Sequence, residues 1–379
     1  MPPISRDLPR ELDTRGSATL HAGDAGRDLA FASYLRVAAM SAVVLIHSCS
    51  AIVGNTGIRD SGTWWLATAL DLGFSWAVPV FIMVSGALLL APRPGEGARA
   101  FYARRLQRIA IPLVVAHVGY LLVRWLLQGE HLTVAGIVRD LLHGTIYVQL
   151  YFFWIMLGLY LITPLLRPAL AGRTRNELLV IGGACVGWTW AVWAGAQILG
   201  IAGARTVIWQ PAALTLFVPY IGYFVLGFAL RDLVLRGGAL LGAIGLFGLA
   251  EVLVVWQYAV GAQNPVLLVV AGGGYQGLPV AVTAVTIFVI SRSLISSSGP
   301  AARPPVGAVM RHLGELSLGV FIIHVFLLNV AWRSAPFGFD VVNQNLPLTL
   351  VLWVLVTVLS FAACWLIART PIARKAIGF

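Results

Sequence analysis

Charged residues are scarce in this chain. Asp, Glu, Lys and Arg make up 11% of its 379 residues, whereas soluble domains carry about 25%. Hydrophobic residues make up 59%, and a chain this apolar cannot cover itself with a surface that water wets. The composition therefore excludes a soluble protein of two or three domains and predicts an integral membrane protein.

Cysteine is scarce as well. Cys49, Cys185 and Cys364 lie far apart, without a CxxC motif or a Cys/His spacing. This pattern excludes a disulfide framework and gives no zinc site. We interpret all three as small hydrophobic residues in apolar stretches, and we expect no metal in the functional site.

Apolar runs of membrane-spanning length recur along the chain. Strand-period alternation is not evident, so the spans must satisfy their backbone hydrogen bonds as helices. We predict an all-α polytopic membrane helix bundle of about ten transmembrane helices over residues 29–369, between tails at 1–28 and 370–379. The ten predicted spans are 29–51, 64–91, 109–128, 147–166, 178–200, 212–230, 238–258, 277–294, 316–332 and 347–368.

The basic residues predict the orientation of this bundle. Of 26 Lys and Arg, 20 lie in the tails and alternate connections on one side, and 4 lie in the other connections. By the positive-inside rule both termini are cytoplasmic and the protein lies in the cell membrane. The net charge of +11 is thus mainly a topology signal, so we expect the lipid bilayer and not nucleic acid as a partner. Residues 1–28 are polar and are expected to be a cytoplasmic tail, not a cleaved signal peptide.

Two ionisable residues lie within the first span. Arg36 and His47 are eleven positions apart, which is three helical turns plus roughly 20°, so both project from one face about 16 Å apart along the axis. A charge in a span costs about 2.5–3.5 kcal/mol, which makes each a functional candidate. The alternative is that Arg36 snorkels to the inner surface and His47 makes a core hydrogen bond.

Asp71 enters the second span at about the depth of His47. A carboxylate beside an imidazole N–H would fix its tautomer and stabilise the imidazolium. A solvent-facing Asp71 at the interface fits the sequence as well. Asp71, Ser75 and Ser85 fall on roughly one helical face, although Pro79 predicts a kink between them.

Arginines cluster at the inner mouth of the third span. Arg104 and Arg108 share a face at i,i+4, next to Arg105, and such forked guanidinium groups suit bidentate binding of phosphates. Anchoring to anionic lipid headgroups is the alternative. In the ninth span Ser317 and His324 share a face, and His324 lies near mid-membrane, either in a ligand path or in an interhelical hydrogen bond.

The outer half of the bundle carries further polar candidates. His117 and Arg124 are seven positions apart on one face of the third span and reach outward. In the seventh span Glu251, with Trp256 and Gln257, would suit a sugar through hydrogen bonds and stacking. Single polar contacts between helices explain these residues equally.

Five segments in order, over about 300 of the 379 residues, together resemble the acyltransferase 3 family of multispanning membrane acyltransferases. The likeness extends to the membrane module alone, without the extracellular hydrolase-like domain that some relatives add. One segment differs from the family pattern, because Gln149 stands where many relatives have a histidine. The five segments are the Arg36–His47 pair, Val78-Pro79-Val80-Phe81-Ile82-Met83-Val84-Ser85-Gly86, Arg104-Arg105-Leu106-Gln107-Arg108-Ile109-Ala110-Ile111-Pro112, Leu157-Gly158-Leu159-Tyr160-Leu161-Ile162-Thr163-Pro164-Leu165-Leu166 and Leu316-Ser317-Leu318-Gly319-Val320-Phe321-Ile322-Ile323-His324.

The resemblance implies transfer of an acyl group, usually acetyl from acetyl-coenzyme A, to a hydroxyl of a sugar or other glycoconjugate. In that family the first-span histidine is considered essential, which matches His47, and arginine clusters are associated with the acyl donor. We therefore expect His47 as general base with Asp71 as its catalytic partner. His117, Arg124 and Glu251 are the expected acceptor-binding residues. The expected donor-binding residues are Arg36, Ser85, Arg104, Arg105, Arg108 and His324.

Other functions stay open at this point. A secondary transporter of a sugar-linked or lipid-linked substrate would also carry ionisable residues in its spans, although transporters usually show paired halves, which are not evident here. A non-catalytic scaffold would not need Arg36 and His47 on one face. Within the enzyme class, a succinyl or longer acyl donor and an acyl-histidine relay are the alternatives.

Overall fold

The structure, a computed structural model, describes residues 30–91, 95–203, 212–261, 264–271, 274–371 and 373–378. The predicted N-terminal tail, residues 1–28, lies outside this part. Within the described ranges all regular elements are helical. The α-helices are α1 (Ala30–Val53), α2 (Gly62–Gly73), α3 (Ala77–Leu89), α4 (Ala98–Leu122), α5 (Val134–His143), α6 (Tyr151–Leu170), α7 (Arg175–Ile201), α8 (Ile221–Leu230), α9 (Gly237–Gly261), α10 (Pro265–Ala271), α11 (Leu278–Leu294), α12 (Val306–Ala331), α13 (Phe339–Val342) and α14 (Leu346–Ala368).

Membrane-spanning segments account for most of these helices. In the part of the chain that the structure describes, nine helical segments are long and apolar enough to cross a membrane. Helices α2 and α3 together make one of them, and α4 continues into another through a π-helical turn at Val123–Leu127. Helix α11, with 17 residues, is shorter and occupies the eighth predicted span, 277–294. The predicted all-α polytopic membrane bundle is confirmed.

The second span is broken between α2 and α3. Helix α2 ends at Gly73, and Pro79 is the third residue of α3. Proline has no N–H to donate, so it is accommodated in the first turn of a helix, where that donor has no intrahelical partner. The face predicted through Asp71, Ser75 and Ser85 is therefore interrupted between α2 and α3, whereas the sequence predicted a kink at Pro79.

The centre and periphery of the bundle differ in burial. More than half of the apolar window is buried in α1 and in α12, against 17% in α7 and 11% in α9. Peripheral helices that keep apolar side chains exposed are typical of contact with lipid. The central helices meet around buried aromatic side chains, which are Phe31, Phe101, Phe153, Phe224 and Phe288.

Helices α3 and α8 approach each other without intervening side chains. A Cβ at Gly86 would collide with the backbone carbonyl of Phe224, and a Cβ at Gly227 would collide with the carbonyl of Met83. Small residues allow this separation in membrane helix pairs. Gly86 is thus in close contact with the backbone of α8.

The arginine-rich connections meet at one end of the bundle. Arg167, at the end of α6, pairs with Glu96 just before α4 at 2.9 Å. Arg292, at the end of α11, donates a hydrogen bond to the carbonyl of Arg231 after α8 at 2.8 Å. This end, which we call the basic end, corresponds to the side predicted to face the cytoplasm.

The C-terminal segment also packs at the basic end. Ala373–Ile377 forms a 3₁₀ turn, and Ile377 is buried near Gly319 of α12. Gly378 has a φ of +76°, a conformation that favours glycine. Residues 373–378 are therefore part of the packed bundle, whereas the sequence predicted a cytoplasmic tail from residue 370.

Candidate active site

Two histidines from distant helices meet inside the bundle. The ring centroids of His47 on α1 and His324 on α12 are 5.3 Å apart, with the rings tilted by 44°. The sequence suggested both residues for the site but in separate roles, with His324 along the donor arm. Because the relative register of two helices is not encoded in either segment alone, their direct juxtaposition becomes visible only in the fold.

His324 is completely buried, and one of its ring nitrogens has no partner. Its Nδ1 lies 3.0 Å from the carbonyl oxygen of Val320, one turn earlier. Among the described residues its Nε2 has no hydrogen-bond partner. A carbonyl only accepts, so Nδ1 carries the proton, and in the neutral imidazole Nε2 presents a lone pair. Neutral His324 would thus offer an available acceptor close to His47.

Four polar side chains deep in the bundle keep accessible surface. Arg36, His47, Tyr151 and Tyr160 lie well inside the bundle, and each remains partly accessible. Partial accessibility at this depth indicates that these side chains are not tightly packed on every side. Since α1 is unbroken from Ala30 to Val53, the predicted separation of Arg36 and His47 by three turns on one face is present.

Arg36 lies among charged and phenolic groups toward the basic end. It interacts electrostatically with Tyr160 of α6, with Arg105 and Arg108 of α4, and with Glu315 of α12. The sequence motif contained Tyr160, but nothing in its spacing assigned it a role. Charged and phenolic groups of three other helices therefore lie near Arg36.

A basic cavity opens beside this group. It has a volume of about 670 Å³ and is lined by Arg104, Arg105, Gln107, Arg108, Ile111, Lys375 and Gly378. Arg104 forms an ion pair with Glu96, and the Arg105 guanidinium lies 5.9 Å from the centre of the Phe101 ring. The three arginines predicted as a phosphate cluster therefore share one cavity, and Lys375 joins them although the sequence analysis did not select it.

Asp71 does not contact its predicted partner, and Ser85 makes a hydrogen bond within its own helix. Among the described residues no hydrogen bond or ion pair joins Asp71 to His47, so the predicted pair is not formed. The Asp71 carboxylate interacts instead with Cys49 and Tyr275. Burial raises the pKa of Tyr275, and Asp71 adds to that rise. Ser85 donates its hydroxyl to the carbonyl of Phe81, one turn earlier, at 2.9 Å.

A group of tyrosines surrounds this outer region. Tyr151 lies close to Tyr275, and Tyr223 donates to the Tyr275 carbonyl at 3.1 Å. Tyr220 interacts with Tyr151 and Tyr275 as well. The sequence analysis missed these residues, because tyrosines in separate apolar segments give no spacing signal.

His117 and Arg124, predicted to line an acceptor path, are occupied by protein partners. His117 is buried, with Nδ1 2.7 Å from the Leu113 carbonyl, and Trp154 donates its Nε1–H to His117 Nε2 at 3.2 Å. Arg124 forms ion pairs at 2.8 Å with both Glu130 and Asp140. These hydrogen bonds give both residues a structural role.

Glu251 lies on α9 with its carboxylate against Gly73 at the end of α2. The predicted grouping with Trp256 and Gln257 does not occur as one surface, because Trp256 is 49% exposed and Gln257 is buried. Five positions on a helix correspond to a rotation of about 140°, so Trp256 cannot share the face of Glu251. Glu251 alone remains a predicted acceptor contact.

Comparison with known proteins agrees with the sequence motifs. A family model described as an acyltransferase domain matches residues 29–369, nearly the whole chain. A search of curated proteins gave no match, and a search of solved structures gave none either. The family match covers the histidine pair, Arg36 and the arginines of the basic cavity. The chain therefore belongs to the acyltransferase 3 family and is a membrane acyltransferase.

Proposed function

We propose that the protein is an O-acyltransferase of the cell membrane that moves an acetyl group from cytoplasmic acetyl-coenzyme A to a hydroxyl of a sugar or glycoconjugate. The observation that carries this proposal is the order of groups from the basic end inward. The basic cavity beside α4 comes first, Arg36 of α1 with Tyr160 follows, and the His47–His324 pair lies farther in. Arg36, Tyr160 and His47 all remain partly accessible within the bundle.

The basic cavity suits the phosphorylated end of such a donor. Its volume of about 670 Å³ falls within the usual range for ligand sites, about 300–1,000 Å³. Arg104, Arg105 and Arg108 offer forked guanidinium groups, which bind phosphates through paired hydrogen bonds. Arg36, deeper on α1, would bind a group closer to the reacting carbonyl. A donor held there must carry its acyl group on a long, thin arm to reach His47, as acyl-coenzyme A does.

In the reaction His47 acts as the general base. It takes the proton from the acceptor hydroxyl while that oxygen attacks the thioester carbonyl carbon. As the carbon–sulfur bond breaks, His47 returns the proton to the departing thiolate, so the proton balance closes. His324 would position His47 in this step, because its Nε2, which has no hydrogen-bond partner among the described residues, is available to accept a hydrogen bond from one ring N–H of His47 and leave the other nitrogen as the base. The surrounding protein limits access of water to the thioester.

The outer tyrosine group supports a sugar acceptor. Tyr151, Tyr220 and Tyr275 offer aromatic faces and hydroxyl groups, and Asp71 offers a carboxylate nearby. Aromatic rings with a polar edge combine apolar contact and hydrogen bonding in one side chain. The acceptor would enter from this side and meet the donor at His47.

The central test is transfer of labelled acetyl by purified protein and membranes. His47→Ala should keep the thermal shift with coenzyme A but lower kcat by about 10³-fold, within the range for a general base. His143→Ala, on the surface helix α5, is the matched control and should behave as wild type. Near-normal turnover of His47→Ala would exclude the general-base role, and fractionation of the labelled product would identify the acceptor.

His324 is tested by two variants. His324→Leu removes the acceptor lone pair and should lower kcat without changing KM for the donor. His324→Gln retains an acceptor oxygen near the position of Nε2 and should recover part of kcat. Equal loss in both variants would indicate that His324 is needed only for packing.

A thermal shift assay separates this function from a carrier. Coenzyme A and acetyl-coenzyme A should stabilise the wild-type protein, because a ligand that binds only the folded state raises Tm. A carrier of an unrelated sugar-linked or lipid-linked substrate should respond to neither. Succinyl-coenzyme A in the same assay tests whether a longer acyl group is preferred.

A further inference from the structure

The C-terminal segment forms one wall of the basic cavity. Ile377 is 4% exposed and packs where a Cβ at Gly319 would lie 2.9 Å from its own Cβ. Gly378 lies against α4, where an added Cβ would be 3.1 Å from the carbonyl oxygen of Arg108. These apolar and backbone contacts hold the segment on α4 and α12.

This packing brings a fourth cation to the cavity. Lys375 lines it together with Arg104, Arg105 and Arg108. In the described part of the chain Lys375 has no ion pair, and the nearby Glu96 pairs with Arg104 and Arg167. Cations gathered around one space repel each other, so the cavity favours a ligand with several negative charges.

We propose that the C-terminal segment is part of the donor-binding site and that the Lys375 ammonium group binds a phosphate of the acyl donor. This inference rests on the proposed function. The adjacent Arg374 is exposed and does not line the cavity. Removal of Lys375 is therefore expected to weaken donor binding more than removal of Arg374. A general attraction of anions to a basic surface would make the two effects equal.

The test is equilibrium binding of coenzyme A and of pantetheine, which lacks the phosphates, to full-length protein in phosphatidylcholine nanodiscs. Lys375→Ala should raise Kd for coenzyme A about tenfold, as expected for loss of a charge-assisted hydrogen bond. Its Kd for pantetheine should not change. Arg374→Ala is the matched control and should leave both values within about twofold.

A second variant changes the position of the segment without removing charge. Gly378→Val is strained at a φ of +76° and brings a side chain against the Arg108 carbonyl, so it should displace Lys375. Gly378→Val should therefore raise the Kd for coenzyme A, as Lys375→Ala does. An unchanged Tm would show that the bundle is intact in this variant.

Three results would overturn the proposal. The first is an equal effect of Lys375→Ala and Arg374→Ala on the Kd for coenzyme A. The second is an equal effect of Lys375→Ala on coenzyme A and pantetheine. The third is an unchanged Kd of Lys375→Ala for coenzyme A. If this variant also no longer responds to phosphatidylglycerol added to the nanodiscs, Lys375 would be assigned to a lipid headgroup. If wild-type protein does not bind coenzyme A at all, the proposed function itself fails.

Discussion

Arginines at the two ends of the bundle have different surroundings. At the end opposite the basic end, Arg124 pairs with Glu130 and Asp140, and Arg333 donates to the carbonyls of Asn329 and Leu127 at 2.7 and 2.9 Å. At the basic end, arginines gather around a cavity and around Arg36, with more positive than negative charge. The same residue type thus supports the architecture at one end and forms a candidate binding site at the other.

The number of acceptors around each guanidinium explains this difference. A guanidinium has five N–H donors, and in Arg124 the carboxylates and the Ile146 carbonyl use several of them. Such a residue gains little by contacting a ligand. A cavity with excess positive charge favours an anion instead, so variants at the two ends should change different measurements.

The largest expected effect is at Arg36. Arg36→Ala should raise KM for acetyl-coenzyme A about 100-fold, close to 3 kcal/mol, because a deeply placed guanidinium loses its contact with the donor. The Tm without ligand should change little. Arg36→Lys retains the charge but not the forked geometry and should give an intermediate KM. An unchanged donor affinity in Arg36→Ala would remove Arg36 from the donor site.

Arg124 should show the opposite behaviour. Arg124→Ala breaks hydrogen bonds to two carboxylates and should destabilise the protein by about 2 kcal/mol, measured as a lower Tm, with KM for the donor unchanged. Arg139 also contacts Asp140, at 3.2 Å, but its side chain is 72% exposed. Arg139→Ala is therefore the matched control, with an expected loss below about 1 kcal/mol. A raised acceptor KM with normal Tm in Arg124→Ala would restore its predicted role in binding.

The smallest expected effect is a pH dependence at the Arg124 end. The hydrogen bond and charge of Arg124 lower the pKa of Asp140 below its usual value. A carboxylate with a lowered pKa stabilises the fold above its unfolded-state pKa, about 3.9, and this contribution is lost as pH falls through the lower folded-state pKa. The Tm difference between wild type and Asp140→Asn should be constant near neutral pH and narrow below about pH 4. A difference independent of pH would contradict this assignment.

The sequence was sufficient to predict the helix bundle, and it predicted the grouping of basic connections that the structure brings to one end. Spans are set by the length of apolar runs, and basic connections alternate along the chain, so both are local properties. The placement of Arg36 and His47 on one face followed for the same reason, since α1 is continuous. The break between α2 and α3, at residues 74–76, was predicted only as a kink at Pro79, and its effect on the Asp71 face became clear once α2 ended at Gly73.

Contacts between distant segments could not be predicted. His47 and His324 meet because α1 packs on α12, and no pattern within either helix specifies their relative height. Arg124 looked like a binding residue because its partners Glu130 and Asp140 lie in a polar connection and in α5, outside the predicted span. Lys375 was missed because a polar C-terminus was expected to remain in solvent.

The contact between α3 and α8 has a mechanical consequence. With backbone touching backbone at Gly86 and Gly227, there is no side chain between the two helices whose rearrangement could let them separate or shift. We therefore expect α3 and α8 to move as one unit. Widening that admits a bulky acceptor or releases the product is then expected from other helices of the bundle.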